Sequence, residues 1–504
     1  MTGLLLRRAR LAGGPEAPVD VAVEDGRVTA VSPTGTGPAH ASTRAELVDL
    51  DGRWLLPGLW DSHVHMEQQA LRRRQVDVAG AASAAEAAAM VARHVAEHPP
   101  GPGTVVVGAG FRDGLWPDLP APGLLELGDV AVCLVSGDVH TIWSNLAATR
   151  RFGLGEQDWL LREQPAFDLG VRLRSVDEAE VDAAVAEATA AAAARGVVGV
   201  VDLEMGDAGG SWLRRAGARP LDLRVEAGVY PEDLGTALAR GQRTGRPVTA
   251  HGAPDAELVT GGLVTGGPFK IFSDGSLNTR TAYCYHPYAG SGRDVGLASH
   301  EPDELVALLH LAVRSGLRPT VHAIGDRAVT MALDAYEAVA RDGGPRGGRV
   351  EHAQLVRPED VPRFAALGVE AGLQPEHAMD DRDVADHYWA GRTGQAFALR
   401  SLLDAGATVL LGSDAPVAPL DPWVTVAAAV SRSRDGRSPW HPEQRITVAE
   451  ALRCSTRSTV APGQPADLVV TDLDPYAVQP ERLRTMPVAA TLLAGRWTAA
   501  PRWV

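Results

Sequence analysis

Eight short apolar runs recur through the middle of this 504-residue chain, several of them separated by helix-like segments. They are LLPGLWDSHVH (55–65), VVGVVDLEM (197–205), LDLRVEAGVY (221–230) and PFKIFSDG (268–275), followed by RPTVHAIGD (318–326), GRVEHAQLV (348–356), GVEAGLQPEH (368–377) and TVLLGSDAPV (408–417). Each has the length and apolar character of a buried strand, and the eight together read as one parallel set. DEAEVDAAVAEATAAAAARG and DELVALLHLAVRSG read as helices between them, the second capped by Asp303 and ended by Gly316. Eight strand–helix units over roughly 360 residues predict a (β/α)8 barrel, enlarged by insertions. A doubly wound open sheet is the rival, but no Gly-rich dinucleotide fingerprint follows any of the runs.

The main insertion spans residues 66–177, after the first strand, and carries strands of its own in GTVVVGAGF and VAVCLVSGDVH. Both chain ends are β-rich: VDVAVEDGRVTAVSP alternates around an Asp-Gly turn, and PADLVVTDLDP and VAATLLAGRWTAAPRWV close the chain. We expect a small domain built jointly from residues 1–56 and 458–504, with the barrel occupying 57–457.

In such barrels the chemistry sits at the C-terminal ends of the strands. Ionisable residues collect there: His63, His65, Lys270, His322, His352 and Asp414 each end an otherwise apolar run. His63 and His65 are two apart on a strand, which puts both imidazoles on one face and makes half of a zinc-type site. Alone, this pair is equally readable as two hydrogen-bonded core histidines. Two further histidines at strand ends weigh against that. Asp414 would be costly to bury unless paired or coordinated, with helix capping as its plainer alternative.

Lys270 is the only lysine in the chain, whose other basic residues of this kind are all arginine. Guanidinium stays charged, whereas a buried amine loses its proton and becomes a nucleophile, for example towards carbon dioxide. A position that keeps lysine in an arginine-rich chain points to chemistry that needs a neutral amine, with survival by chance or for packing as the plainer alternative.

Taken in order, DGRVTAV, LPGLWDSHVH, VVGAGF, GDVHTIWSNLAA, FKIFSDGSL, VHAIGDRAV, VEHAQLV, LQPEHAMDD, LLGSDAPVAPLDPW and PADLVV resemble the metal-dependent amidohydrolases. More narrowly they resemble the branch that includes N-substituted formamide deformylases, over most of the chain from about Leu4 to Val470. The resemblance implies a TIM barrel with a composite β-sandwich from the two termini. It also implies one or two divalent metals, zinc first among them. His63 and His65 would hold the more buried ion, and His322 and His352 a second. Asp414 would be both ligand and general base, and Lys270 a carboxylated bridge between the ions; a single-metal site with unmodified Lys270 is the alternative. His377 and His140 would reach the substrate or its oxyanion, or else be ordinary hydrogen-bonded histidines. Asp274 would orient Lys270 or its loop. The implied reaction is hydrolysis of an amide, cyclic amide or N-substituted formamide C–N bond by metal-activated water. Attack on lactones, carbamates or phosphotriesters, and a non-catalytic binding protein, are the competing readings.

The formal charge is −15, which disfavours a nucleic-acid or anionic-membrane partner. The short basic runs, Arg7-Arg8 and Arg72 to Arg74, read as solvated faces. Cys133, Cys284 and Cys454 form no CxxC, which disfavours a disulfide framework and fits a reducing, cytoplasmic setting. A small-molecule amide-type substrate and a homo-oligomer, a dimer, complete the expectation. Phe111, Trp116, Trp143, Tyr283, Tyr285 and Trp389 are either an aromatic pocket lining or core and lid packing.

Overall fold

A computed structural model describes residues 3–36, 45–72, 74–101, 103–173, 177–249, 260–501 and 503. Arg73 of the basic run lies outside the described residues. Eight parallel strands form the central sheet: β1 (Leu59–Val64), β2 (Val197–Asp202), β3 (Arg224–Val229), β4 (Val264–Phe272), β5 (Pro319–Ala323), β6 (Gly348–His352), β7 (Val369–Leu373) and β8 (Val409–Leu411). They pair in chain order from β1 to β8. The seam between β8 and β1 is closed just beyond the strand ends, where Asp414 N donates to His63 O (2.7 Å) and His65 N to Ala415 O (2.8 Å).

Crossover helices cover the barrel, among them Glu178–Ala193, Ala208–Ala218, Pro302–Arg314 and Asp326–Arg341. Their buried faces join the strands in a continuous apolar layer that includes Leu305, Leu309, Val321, Val329, Val350 and Leu411. Glu301, not Asp303, caps the helix Pro302–Arg314. Pro302 takes the first helical position, where its missing N–H costs nothing, and Glu301 and Glu304 exchange side-chain and backbone hydrogen bonds as a capping box. Gly316, with φ +70°, ends the helix as expected.

Between β1 and β2 the inserted segment builds its own five-stranded sheet, in the order Leu160–Arg162, Thr141–Ser144, Ala131–Ser136, Val105–Phe111, Val76–Asp77. Strands from the two chain ends make a further sheet, in which Trp54–Pro57 pairs with Leu468–Thr471. The strand Leu4–Leu11 breaks register at a bulge near Arg8 (φ +55°) and passes from one layer of this sandwich to the other. Leu6, Val21, Val28, Leu55, Leu468 and Leu492 fill the space between the layers. The barrel, the composite sandwich and the insertion after the first barrel strand are therefore all present. No helix among the described residues is long and apolar enough to cross a membrane.

Candidate metal centre

β1 is buried along its whole length, and the alternation of its side chains sends Asp61, His63 and, just beyond the strand, His65 the same way. Asp61 accepts hydrogen bonds from Ser413 N (2.9 Å) and His63 N (3.1 Å), tying the segment after β8 to β1. Held by this link and by the seam, Asp414 places Oδ1 3.2 Å from His65 Nε2 and 3.4 Å from His63 Nε2. The ligand-capable atoms of these three residues all lie within 4.8 Å of one another.

A second group stands beside the first. His322 near the end of β5 and His352 at the end of β6 have ring centroids 4.4 Å apart, and His352 is 5.1 Å from His63. His377 opens the helix His377–Tyr388 with its ring 6.2 Å from His352. His352, His377 and Asp414 form another set within 4.8 Å. His140, on the loop after Ala131–Ser136 of the insertion, brings its ring to 5.9 Å from His322. Lys270 on β4 is 1% exposed and faces the same cavity as His63, His322 and Asp414. The eight residues singled out from sequence thus converge at one end of the barrel. Several backbone positions there are in the left-handed region without being glycine, among them Val139 (φ +60°), His352 (φ +69°), Ala353 (φ +37°) and Asp414 (φ +57°). Such positions cost on the order of 1–3 kcal/mol each and cluster where function demands an orientation.

The donors fit a divalent cation. His65 Nδ1, Lys270 Nζ, His322 Nδ1, His352 Nδ1 and His377 Nε2 are all buried without a hydrogen-bond partner among the described residues. Buried polar atoms are nearly always satisfied, so five orphans at one mouth are what a coordination site leaves when the ion is taken away. Burial, helped by the Lys270 cation, holds His63 below its ordinary range and His322 well below it; burial and the neighbouring imidazole of His322 do the same for His352. Neutral imidazole is the form that binds metal. Burial also pulls the Lys270 ammonium down to about 8. Burial works against ionisation of Asp414, but its interactions with His63, His65 and His352 outweigh it and hold the carboxyl well below its usual range.

Two carboxylates that hold the histidines were not singled out from sequence. Glu351, fully buried on β6, accepts from His63 Nδ1 (3.0 Å) and from Arg349 Nη1 (3.2 Å). Burial raises its pKa, yet the His63 and Arg349 charges bring it to about 2. Room for it comes from Gly372 on β7, where a Cβ would sit 2.2 Å from Glu351 Oε2. Part of the signal was legible: Arg349 and Glu351 are a charged pair two apart in a barrel strand, hence on one face of it. Glu163 of the insertion accepts from His140 Nδ1 at 2.6 Å. Burial lowers the His140 pKa, but the Glu163 charge and hydrogen bond overcome it and raise the group to about 9. Nothing in the sequence links residues 140 and 163.

Asp274 accepts from the backbone N–H groups of Tyr283 (2.9 Å), Ile324 (3.0 Å) and Gly325 (2.8 Å), so it fixes the loop after β5 and makes no contact with Lys270 Nζ. The six aromatic candidates do not line the cavity around the histidines. Phe111, Trp116 and Trp143 pack the core of the insertion, Trp389 packs beneath the rim, and Tyr283 and Tyr285 lie under arginines. Phe167 and Phe272, which do line it, are stacked at 5.5 Å.

Known proteins resemble this chain in sequence and in fold. "Protein LONG AFTER FAR-RED 3" of Arabidopsis thaliana is 29% identical over 500 residues, covering 89% of this chain and 83% of its own. The N-substituted formamide deformylase of Arthrobacter pascens is 27% identical over 523 residues, covering 94% of both chains. In fold, the chain resembles the crystal structure of an uncharacterized metal-dependent hydrolase from Pyrococcus horikoshii, with a TM-score of 0.77, 24% identity and coverage of 95% of this chain and 99% of that one. The amidohydrolase family model matches residues 46–499, nearly the whole chain, and the protein therefore belongs to the amidohydrolase family.

Proposed function

We propose that this member hydrolyses the C–N bond of small amides, cyclic amides or N-substituted formamides. Four strand-end imidazoles, a buried lysine and a carboxylate meeting at one mouth, several with unpartnered nitrogens, are the observation that carries the reading. His63, His65 and Asp414 would hold one divalent ion and His322 and His352 a second. Lys270, carboxylated on Nζ, would offer an oxygen to each. A nitrogen-and-oxygen donor set without thiolate suits zinc. When bound, such a metal polarises the scissile carbonyl and brings the pKa of water towards neutrality.

The remaining work falls to the chain's own groups. Asp414, ionised at neutral pH, takes the proton of the attacking water on one carboxylate oxygen. It then returns that proton to the amide nitrogen, so that the amine leaves neutral. His140, with Nδ1 tied to Glu163, has Nε2 left to donate to the substrate oxygen as negative charge develops on it. His377 is positioned for the same oxygen or for the leaving group. Phe167 and Phe272 keep one wall of the mouth dry, which strengthens each of these interactions.

The test is a panel of N-substituted formamides, cyclic amides, acyl amines, lactones and phosphotriesters, offered to zinc-loaded protein with metal content measured alongside. Release of amine from at least one C–N class, faster than any turnover of the oxygen esters, is expected. Protein that purifies without metal, or prefers a lactone or phosphotriester, would overturn the reading.

A further inference from the structure

The cavity at the histidines, about 530 Å³ in volume, continues away from them between the barrel mouth and the inserted sheet. One wall is the strand Val105–Phe111, which presents Val105, Val107 and Ala109 on a single face. Opposite it stand Leu71 of the helix Met66–Arg72 and Ala166 and Gly170 of the helix Gln164–Leu173. The Phe111 end of the strand adjoins the mouth, since Phe111 O accepts from Gly137 N on the loop that carries His140. From Ala109 back to Val105 is four residues, roughly 13 Å of apolar wall at about 3.3 Å per residue.

Two cations stand at the far end. Arg151 lies in the last turn of the helix Leu146–Phe152, and a Cβ on Gly103 would be 3.8 Å from its Nη1. Arg172 donates from Nη2 to Phe152 O (2.5 Å) and lies 5.1 Å over the Phe152 ring. Neither guanidinium has a carboxylate partner among the described residues. The other arginines along this cavity are neutralised: Arg72 by Asp77 (2.8 Å), Arg112 by Asp380 (3.1 Å) and Arg74 by Glu180. In a chain of net charge −15, two exposed cations without a carboxylate partner at the end of this passage favour an anion there.

We propose that the substrate carries, away from its scissile C–N bond, an extended apolar chain ending in a carboxylate, and that Arg151 and Arg172 receive that carboxylate. The apolar face of Val105, Val107 and Ala109 favours an apolar chain along its length, and a planar guanidinium matches a carboxylate in shape and charge. This inference rests on C–N hydrolysis at the mouth for its kinetic form, but not for its binding form.

Two comparisons test it. The first sets decanoyl against sebacoyl 4-nitroanilide, two amides that differ only in the terminal carboxylate. The zinc enzyme is expected to favour the sebacoyl substrate at least tenfold in kcat/KM. The variant Arg151→Glu/Arg172→Glu should lose that preference, read as the ratio of the two kcat/KM values. The second measures decanoate and sebacate binding by calorimetry, where each offers one carboxylate to the mouth and only sebacate offers another to the arginines. Sebacate should bind at least tenfold tighter to the wild type and no tighter to the double variant. Arg151→Gln/Arg172→Gln, which only removes charge, should fall between the two, and its melting temperature guards against misfolding. Equal treatment of both members of each pair, or a preference that survives in the Glu variant, overturns the inference. A sebacate preference in binding without cleavage of any amide would support the channel and count against the reaction alone.

Discussion

Replacing Glu351 by Gln removes one negative charge at the point where the proposed metal ligand His63 is braced. The carboxylate accepts from two donors, His63 Nδ1 at 3.0 Å and Arg349 Nη1 at 3.2 Å. An amide offers one acceptor and one NH2, so one of those donors must face another donor. If it is His63, the imidazole loses the hydrogen bond that fixes its tautomer and turns Nε2 towards Asp414. Loss of such a bracing carboxylate typically weakens metal binding 10–100-fold. That corresponds to about 1.4–2.7 kcal/mol. Arg349 keeps Glu370 (3.2 Å) and Ser62 O (3.3 Å), so the folded state should lose about 1.5–3 kcal/mol, the range of one charge-assisted hydrogen bond, rather than the larger sum for an orphaned ion. The assay is zinc affinity by chelator competition, with urea unfolding of the metal-free protein alongside. Glu370→Gln serves as the control, since Glu370 touches Arg349 and not His63. It should lower stability and leave zinc affinity unchanged. A Glu351→Gln protein that holds zinc as tightly as wild type would refute the bracing role and the assignment of His63 as a ligand.

Lys270→Arg should lower kcat/KM by at least about 100-fold and reduce bound metal, because guanidinium cannot be carboxylated; retained turnover and metal content would exclude a carbamate. Restoring activity to metal-stripped wild type should require bicarbonate as well as zinc. With Glu163→Gln, the main influence opposing burial at His140 is lost and only the Asp138 and Asp414 charges still raise its pKa, so the group, protonated below about 9 in the wild type, loses its proton at lower pH. The alkaline limb of the kcat/KM profile should move towards acid, and an unmoved limb would show that His140 does not act as a cation. Gly372→Ala places a Cβ 2.2 Å from Glu351 Oε2 and should destabilise the metal-free protein by about 1–3 kcal/mol in urea unfolding.

The barrel was legible because its strands are apolar and short, and because their last residues are not apolar. His63, His65, Lys270, His322, His352 and Asp414 stand out for that reason, and alternation along a strand says which neighbours share a face. What was hidden is the partner each side chain finds. Glu351 immediately precedes His352, yet it serves His63 on a strand across the barrel, because His352 leaves the strand at positive φ while Glu351 stays in register. Glu163 and His140 meet through the register of two inserted strands, Leu160–Arg162 against Thr141–Ser144, and no local pattern announces that pairing. The role of the aromatic residues stayed open for a related reason: Phe111 and Trp143 stand near motif residues and could line a pocket or pack a core, and the inserted sheet takes them for a core of its own.

The seam between β1 and β8 has a consequence for how the protein is made. A nascent chain carries His63 and His65 out of the ribosome long before Asp414 exists to meet them, and the hydrogen bonds from Asp414 N and His65 N form only when the last barrel strand docks beside the first. On the proposed reading, the emerging histidines would until then be separate, weak ligands. Capture of metal would then be a late event of biosynthesis, reserved for chains whose beginning and end have already found each other.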